Sequence, residues 1–294
     1  MARIMEDQAE GLRRLLARES VRAVTVTGGG GGVGKTSAVV NLAAALAHAG
    51  RDVMVLDENP GRNLNIALGL KARYDLLHVI QGHKSLEEVI LPGPEGIAVL
   101  PAARGLQALG GLAPEQQEWL AECFGRLARP VDVVLVDARA GSALPLTLAA
   151  EEVVVVVSPA GPSITEAYAL IKSMNQDFGK RHFRLLVNRA RTEQDALAIF
   201  NNVARTASHY LAVSLDYMGF VPVDDQLRRS TQLCCPVVDA FPAAPSATSF
   251  RRMANSLASW PLPRESGGGL ENFMHRLIRT CRTDQANISL QLAS

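Results

Sequence analysis

Hydrophobic residues in this chain fall into two alternating kinds of segment. Short β-branched runs occur at Val21 to Thr27, Asp52 to Asp57, Ile97 to Pro101, Val131 to Asp137, Glu152 to Ser158, Phe183 to Asn188 and Tyr217 to Val221. Between them lie longer stretches rich in Ala and Leu, such as Ser37 to Ala49, Pro114 to Ala128 and Ser163 to Phe178, which have the length and composition of helices. The run VVVVV at 153–157 does not alternate with polar residues, so both faces of that strand are expected to be covered. Strand alternating with helix predicts a doubly wound α/β domain, a mostly parallel sheet flanked by helices, from about residue 20 to 262.

Two segments flank that domain. Residues 1–19 read as a short helix with Ala9, Leu12, Leu15 and Leu16 on one side and Arg13, Arg14 and Arg18 elsewhere. Pro261, Pro263 and Gly267-Gly268-Gly269 punctuate the chain like a linker, so residues 263–294 are expected to hold a tether and a helix. Leu270, Phe273, Met274, Leu277, Ile278 and Cys281 recur at helical spacing on one stripe, with His275, Arg276, Arg279 and Arg282 mostly on the flanks and opposite face. That stripe has two readings. One is an amphipathic helix lying in an anionic membrane surface; the other is an ordinary helix packed on the α/β core.

Composition narrows the function classes. The 294 residues are 48% hydrophobic and carry 30 Lys plus Arg against 29 Asp plus Glu, the profile of a globular chain rather than a disordered one. A near-neutral balance counts against a protein that coats nucleic acid, although a local basic patch is still open. Cys123, Cys234, Cys235 and Cys281 show no CxxC spacing, so no disulfide framework, zinc ribbon or iron–sulfur pair is implied. The opening MARIMEDQAEGLRRLL has no uninterrupted apolar core, and no stretch approaches the ~18 apolar residues of a membrane span. A cytoplasmic location is the expectation.

The most specific chemistry lies at Gly29-Gly30-Gly31-Gly32-Val33-Gly34-Lys35-Thr36, a complete GxxxxGK[ST] directly after a predicted strand and before a predicted helix. Glycines let successive backbone N–H groups turn inward on phosphate, Lys35 reaches the β and γ phosphates, and the Thr36 hydroxyl can ligate magnesium. A magnesium–phosphate site also needs acids at neighbouring strand ends. Asp57 closes DVMVLD, and Asp137 closes VDVVLVD and leads into DARAG, with Gly141 at its end. Either Asp alone would read as a turn former or a helix cap; with the loop they form a constellation, and Asp137 suits the Walker B position.

These motifs carry a resemblance. GGVGKT, the Asp57 strand leading into Asn63-Leu64-Asn65, DARAG, SPAGPSITEAYALIK at 158–172, VNR at 187–189 and GFVPVDD at 219–225 resemble the MinD/ParA class of P-loop ATPases. Within that class DQAEGLRRL at 7–15, PSITEAYALIK and PVVDAFP at 236–242 are most similar to the flagellar-number regulators FlhG and FleN. The resemblance implies a sheet of seven or eight strands, ATP or ADP with Mg2+, and an ATP-dependent homodimer formed face to face. By position, Gly31, Gly32, Val33, Gly34, Lys35, Thr36 and Ser37 would hold phosphate, with Gly141 nearby. Thr36, Asp57 and Asp137 would lie around the magnesium, Asn188 would read adenine, and Pro222 to Asp224 would pack beside the base.

The resemblance also implies partners. Asp7, Gln8, Gly11, Leu12 and Arg13 fall in the segment with which such regulators stimulate a signal-recognition-type GTPase, FlhF, with Gln8 against that GTPase's nucleotide. Without the resemblance, a solvated leader helix is the simpler reading. Flagellar switch (C-ring) proteins or a flagellar transcription regulator are further implied partners. The stripe of Leu270, Phe273, Met274, Leu277 and Ile278 would give nucleotide-dependent peripheral attachment to the inner face of the cell membrane. A DNA-partition protein of the ParA type is a competing reading that the charge balance disfavours, so no specific nucleic acid is expected.

Two positions depart from the class. The second lysine of KGGVGKT, which reaches the partner's phosphates across the dimer, is Gly30 here, and a glycine supplies no charge. The D-x-D of switch I, whose second Asp orients the attacking water, is Asp57-Glu58-Asn59. Asn59 can hydrogen-bond a water but cannot accept its proton. Losing a positioning or charge-stabilising group commonly costs about 10²–10³ in rate, so ATP binding with slow turnover is expected, or an ATP-binding scaffold without turnover. Glu58 offers a substitute for the missing carboxylate, which keeps residual activity open, although as the next residue along the chain it would ordinarily point elsewhere.

Overall fold

The computed structural model describes residues 21–59, 61, 63–140, 145–261 and 269–292. In chain order these form β1 (Arg22–Thr27), α1 (Lys35–His48), β2 (Val53–Asp57), α2 (Asn63–Ala67), α3 (Leu76–Ile80), α4 (Leu86–Val89), β3 (Leu91–Pro92), β4 (Ala98–Pro101), α5 (Ala103–Leu109) and α6 (Pro114–Gly125). There follow β5 (Val133–Asp137), α7 (Pro145–Ala149), β6 (Glu152–Val157), α8 (Gly161–Phe178), β7 (His182–Ala190), α9 (Glu193–Tyr210), β8 (Ser214–Pro222), α10 (Asp225–Gln232), α11 (Val237–Ala240), α12 (Pro245–Ser259) and α13 (Leu270–Leu292).

The eight described strands make one sheet in the order β3-β4-β2-β5-β1-β6-β7-β8. Every described pairing is parallel except that of the two-residue edge strand β3 with β4. Apolar side chains leave both faces of the central strands. Val24, Val26, Val55, Leu135, Val154 and Val156 pack with α1 and α12, whereas Ala23, Met54, Leu56, Val134 and Val136 face the opposite layer. Val153, Val155 and Val157 pack with Ala167, Ile171 and Met174 of α8. The expected two-sided burial of the VVVVV run therefore holds, and the sheet is the middle of three layers.

The C-terminal stripe changes the expected domain picture. Leu270, Phe273, Met274, Leu277, Ile278 and Cys281 are all buried, in one cluster with Leu120, Ala121 and Phe124 of α6, Leu146 and Ala149 of α7 and Val134 and Val136 of β5. In the described conformation protein covers the stripe, the second of its two readings. The physical reason is the sheet itself: its apolar face at β5 needs a cover, and each large side chain supplying it gains about 1.5–3 kcal/mol from burial. A polar tie fixes the register. Arg276 pairs with Glu151 and its Nε donates to Ala149 O at 3.4 Å, while Glu151 accepts from Ala23 N at 2.8 Å.

Because Phe273 is fully buried, Phe273→Ala is expected to lower unfolding stability by about 3–5 kcal/mol in urea titration. A loss under about 1 kcal/mol would mean that α13 is not part of the cooperative core.

Candidate nucleotide site

Strand register brings the chemistry to one edge of the sheet. β5 lies between β1 and β2, with Val26 opposite Asp137 and Asp57 opposite Asp137. The end of β1 feeds the glycine loop and α1, so loop and acids share the C-terminal edge of the parallel strands. The loop then turns where Gly32 (φ 72°) and Gly34 (φ 98°) enter the left-handed region that side chains disfavour. Gly34 is doubly constrained, since a Cβ there would also collide with Asn188 Nδ2.

Lys35 is buried and its Nζ donates to Gly30 O at 2.8 Å, curling back over the loop. Desolvation lowers its pKa, opposed by the charges of Asp137 and Glu166. The Thr36 hydroxyl donates to Asp137 Oδ2 at 2.8 Å. Ser37 sits half-buried in the first turn of α1, and Gly31 and Gly32 are open to solvent. Asn188 is buried on β7, and its Nδ2 donates to Val33 O at 2.8 Å. Its amide donor thus braces the phosphate loop. The β7–β8 pairing slips between Asn188 and Ala190, where Arg189 takes φ 60°; such a bulge re-aims neighbouring side chains.

Three carboxylates meet here. Asp57, Glu58 and Asp137 are all buried, and burial pushes their pKa values up to about 6, 7 and 7. Hydrogen bonds oppose the shift: Asn59 N and Nδ2 donate to Asp57 Oδ1 at 3.0 and 3.4 Å, and Arg139 N donates to Glu58 Oε2 at 3.0 Å. Glu58 N and Asn59 Nδ2 both donate to Asp137 O, at 3.2 and 3.0 Å. Asn59 is therefore turned inward, tying switch I to the end of β5. Asp137 Oδ1 is buried with no hydrogen-bond partner among the described residues. An orphaned carboxylate oxygen beside a second buried carboxylate and a hydroxyl is an all-oxygen donor set. It fits a hydrated magnesium ion, which would also relieve the like-charge repulsion.

The other expected residues follow at the ends of β7 and β8, where Pro222 pairs with Ala190. Pro222 ends β8, and Asp224 caps α10: its oxygens accept from Gln226 N at 2.8 Å and from Ser246 N and Oγ at 3.1 and 2.6 Å. Those bonds make Asp224 a local brace. Gly141 and the segment Asp7, Gln8, Gly11, Leu12 and Arg13 lie outside the described residues. Sequence reasoning missed Glu166 of α8, whose backbone abuts Gly29 and whose Oε2 occupies the space a Cβ on Gly30 would need. It also missed that Glu58 reaches Arg139 in the DARAG segment after β5, here switch II; both contacts are long-range and leave no local pattern.

The profile of the CobQ/CobB/MinD/ParA nucleotide binding domain matches residues 24–232. The chain belongs to this family. Within it, the chain is similar to the antiactivator FleN of Pseudomonas aeruginosa, with 39% identity covering 94% of this chain and all of FleN. Among solved structures it is similar to the MinD cell division protein of Aquifex aeolicus, with TM-score 0.65, 25% identity and coverage of 83% of this chain and 100% of that one. The septum site-determining MinD of Pyrococcus horikoshii, solved with Mg-ADP, shares the fold at TM-score 0.61 and 24% identity, over 81% of this chain and 96% of that one. The MinD/ParA resemblance read from GGVGKT and DARAG is thereby established, and the family's nucleotide-binding fold has its phosphate loop at Gly29 to Thr36.

Two outcomes follow from this geometry. Gly34→Ala introduces both a clash with Asn188 and a left-handed alanine, so it is expected to weaken ADP binding at least about tenfold in calorimetric titration. The carboxyl groups with raised pKa favour the folded state fully below the unfolded values near 4, and that contribution disappears as pH rises through 6–7. The melting temperature of the metal-free protein should therefore fall between pH 5 and pH 8, and added Mg2+ with ADP should flatten the slope. A rising melting temperature over that range would contradict the buried, partly protonated acids.

Proposed function

We propose that this chain is a nucleotide-gated regulator of flagellar number and placement, a MinD-like ATPase whose ATP-bound form dimerises and whose slow turnover returns it to the monomer. The observation that carries the reading is the assembly of Lys35, Thr36, Asp57 and Asp137 beneath a complete phosphate loop. The flagellar assignment rests on the similarity to FleN over nearly the whole chain. Thr36, Asp57 and Asp137 would hold a bound magnesium ion, which would supply positive charge against the phosphates. The chain's own part is to present loop N–H groups and Lys35 to the phosphates and to hold the acids in register.

Slow hydrolysis is supported by Asn59. Its amide cannot take a proton from water, and its N–H groups are spent on Asp57 and Asp137 O. Gly30 brings no cation to a partner's phosphates. The same two residues favour a second reading, an ATP-binding scaffold without turnover and with the same partners. The same reading gives it further partners: residues 7–13 stimulate an FlhF-type GTPase, flagellar switch or transcription proteins bind it, and α13 exchanges its core site for anionic lipid.

The position of Arg276 supports a tail exchange. Arg276 grips Ala149 O and Glu151 at the end of α7, the helix that follows Asp137 and the switch II segment. A nucleotide-driven shift of that segment would pull on this grip and loosen the docked stripe, making the protein a cytoplasmic one that reaches the membrane peripherally.

Light scattering with no nucleotide, with ADP and with ATP tests the switch: a dimer with ATP alone is expected, and a monomer in all three states contradicts it. Turnover with Mg2+ separates the two readings. A rate above that of Lys35→Ala is expected for the ATPase, whereas equality with that control favours the scaffold.

A further inference from the structure

The side chain that stands over Gly30 bears a charge of the wrong sign for phosphate. α8 is anchored by Ala167, Leu170, Ile171 and Met174, all buried, and its backbone at Glu166 lies so close to Gly29 that a Cβ there would strike the Glu166 carbonyl. The helix therefore cannot retreat without unpacking its core face. Glu166 is exposed, directs Oε2 onto Gly30, and makes no hydrogen bond or ion pair to another described residue. Lys35, which serves the β and γ phosphates, lies within electrostatic reach of it.

We propose that Glu166 is a specificity-determining residue that sets the site's preference between nucleoside diphosphate and triphosphate by opposing the terminal phosphate. This inference rests on the reading of the loop as a nucleotide site. A triphosphate carries more negative charge toward Gly30 and Lys35 than a diphosphate does, so a carboxylate that α8 keeps over the loop penalises ATP more than ADP. A lysine at position 30 would cancel that penalty, and this chain has a glycine. The contact also explains why bulk is absent at two successive positions: Gly29 is held by backbone, whereas Gly30 faces only the mobile end of Glu166. Position 30 can therefore accept a side chain if the carboxylate swings aside.

Calorimetric titration of the full chain with Mg-ADP and with a non-hydrolysable Mg-ATP analogue, at low and high salt, tests this. Glu166→Gln should tighten the triphosphate about three- to tenfold and the diphosphate less than about twofold at low salt, with the difference shrinking at high salt. Gly30→Lys should shift the ratio in the same direction. A purely structural role for Glu166 would move both affinities together and leave the salt dependence unchanged. An unchanged triphosphate-to-diphosphate ratio in Glu166→Gln, with Mg-ADP still bound, overturns the inference alone. Failure of the unaltered protein to bind either nucleotide overturns the site reading and this inference with it.

Discussion

The in-register pairing of β2 with β5, which sets Asp57 directly beside Asp137, is the constraint from which the rest of the molecule follows. Two buried carboxylates side by side, with Glu58 as a third, are unfavourable unless protonated or neutralised by a cation. The fold places the phosphate loop one strand away, where Lys35 offers positive charge of its own. Magnesium with phosphate answers both demands, the cation for the acids and the anion for the loop. The parallel sheet matters because it delivers every strand's C-terminal end to the same edge.

Packing then extends that edge to the rest of the chain. Each central strand shows apolar side chains to both helix layers, and the layer over β5 is completed by α13. The tail consequently touches α7, which follows the switch II segment, through both an apolar stripe and the Arg276 tie. One helix thus serves core stability and lies next to the part of the site that would respond to phosphate.

Much of this was legible beforehand. The strands fall within a few residues of the hydrophobic runs, because a two-sided buried strand must be continuously apolar, and the glycine loop announced itself because its backbone path admits little else. Three things were not legible. The edge strand Leu91–Pro92 is too short to carry a period. Helical spacing in the tail reported an apolar stripe but could not name what covers it. The roles of Asn188, Glu58 and Glu166 depend on contacts between residues far apart in sequence, Val33 with Asn188, Glu58 with Arg139 and Gly30 with Glu166. The chemistry of the Asn59 amide was plain in the sequence, yet its inward turn onto Asp137 O needed the fold.

The central claim is that the buried acids and the phosphate loop form one site completed by magnesium. Titration of the full chain with ADP, in Mg2+ and then in a chelator, tests it most directly. Affinity is expected to fall by at least about tenfold when the metal is removed, since the paired carboxylates then face the phosphates without a bridging cation. Equal affinity with and without magnesium would contradict the account.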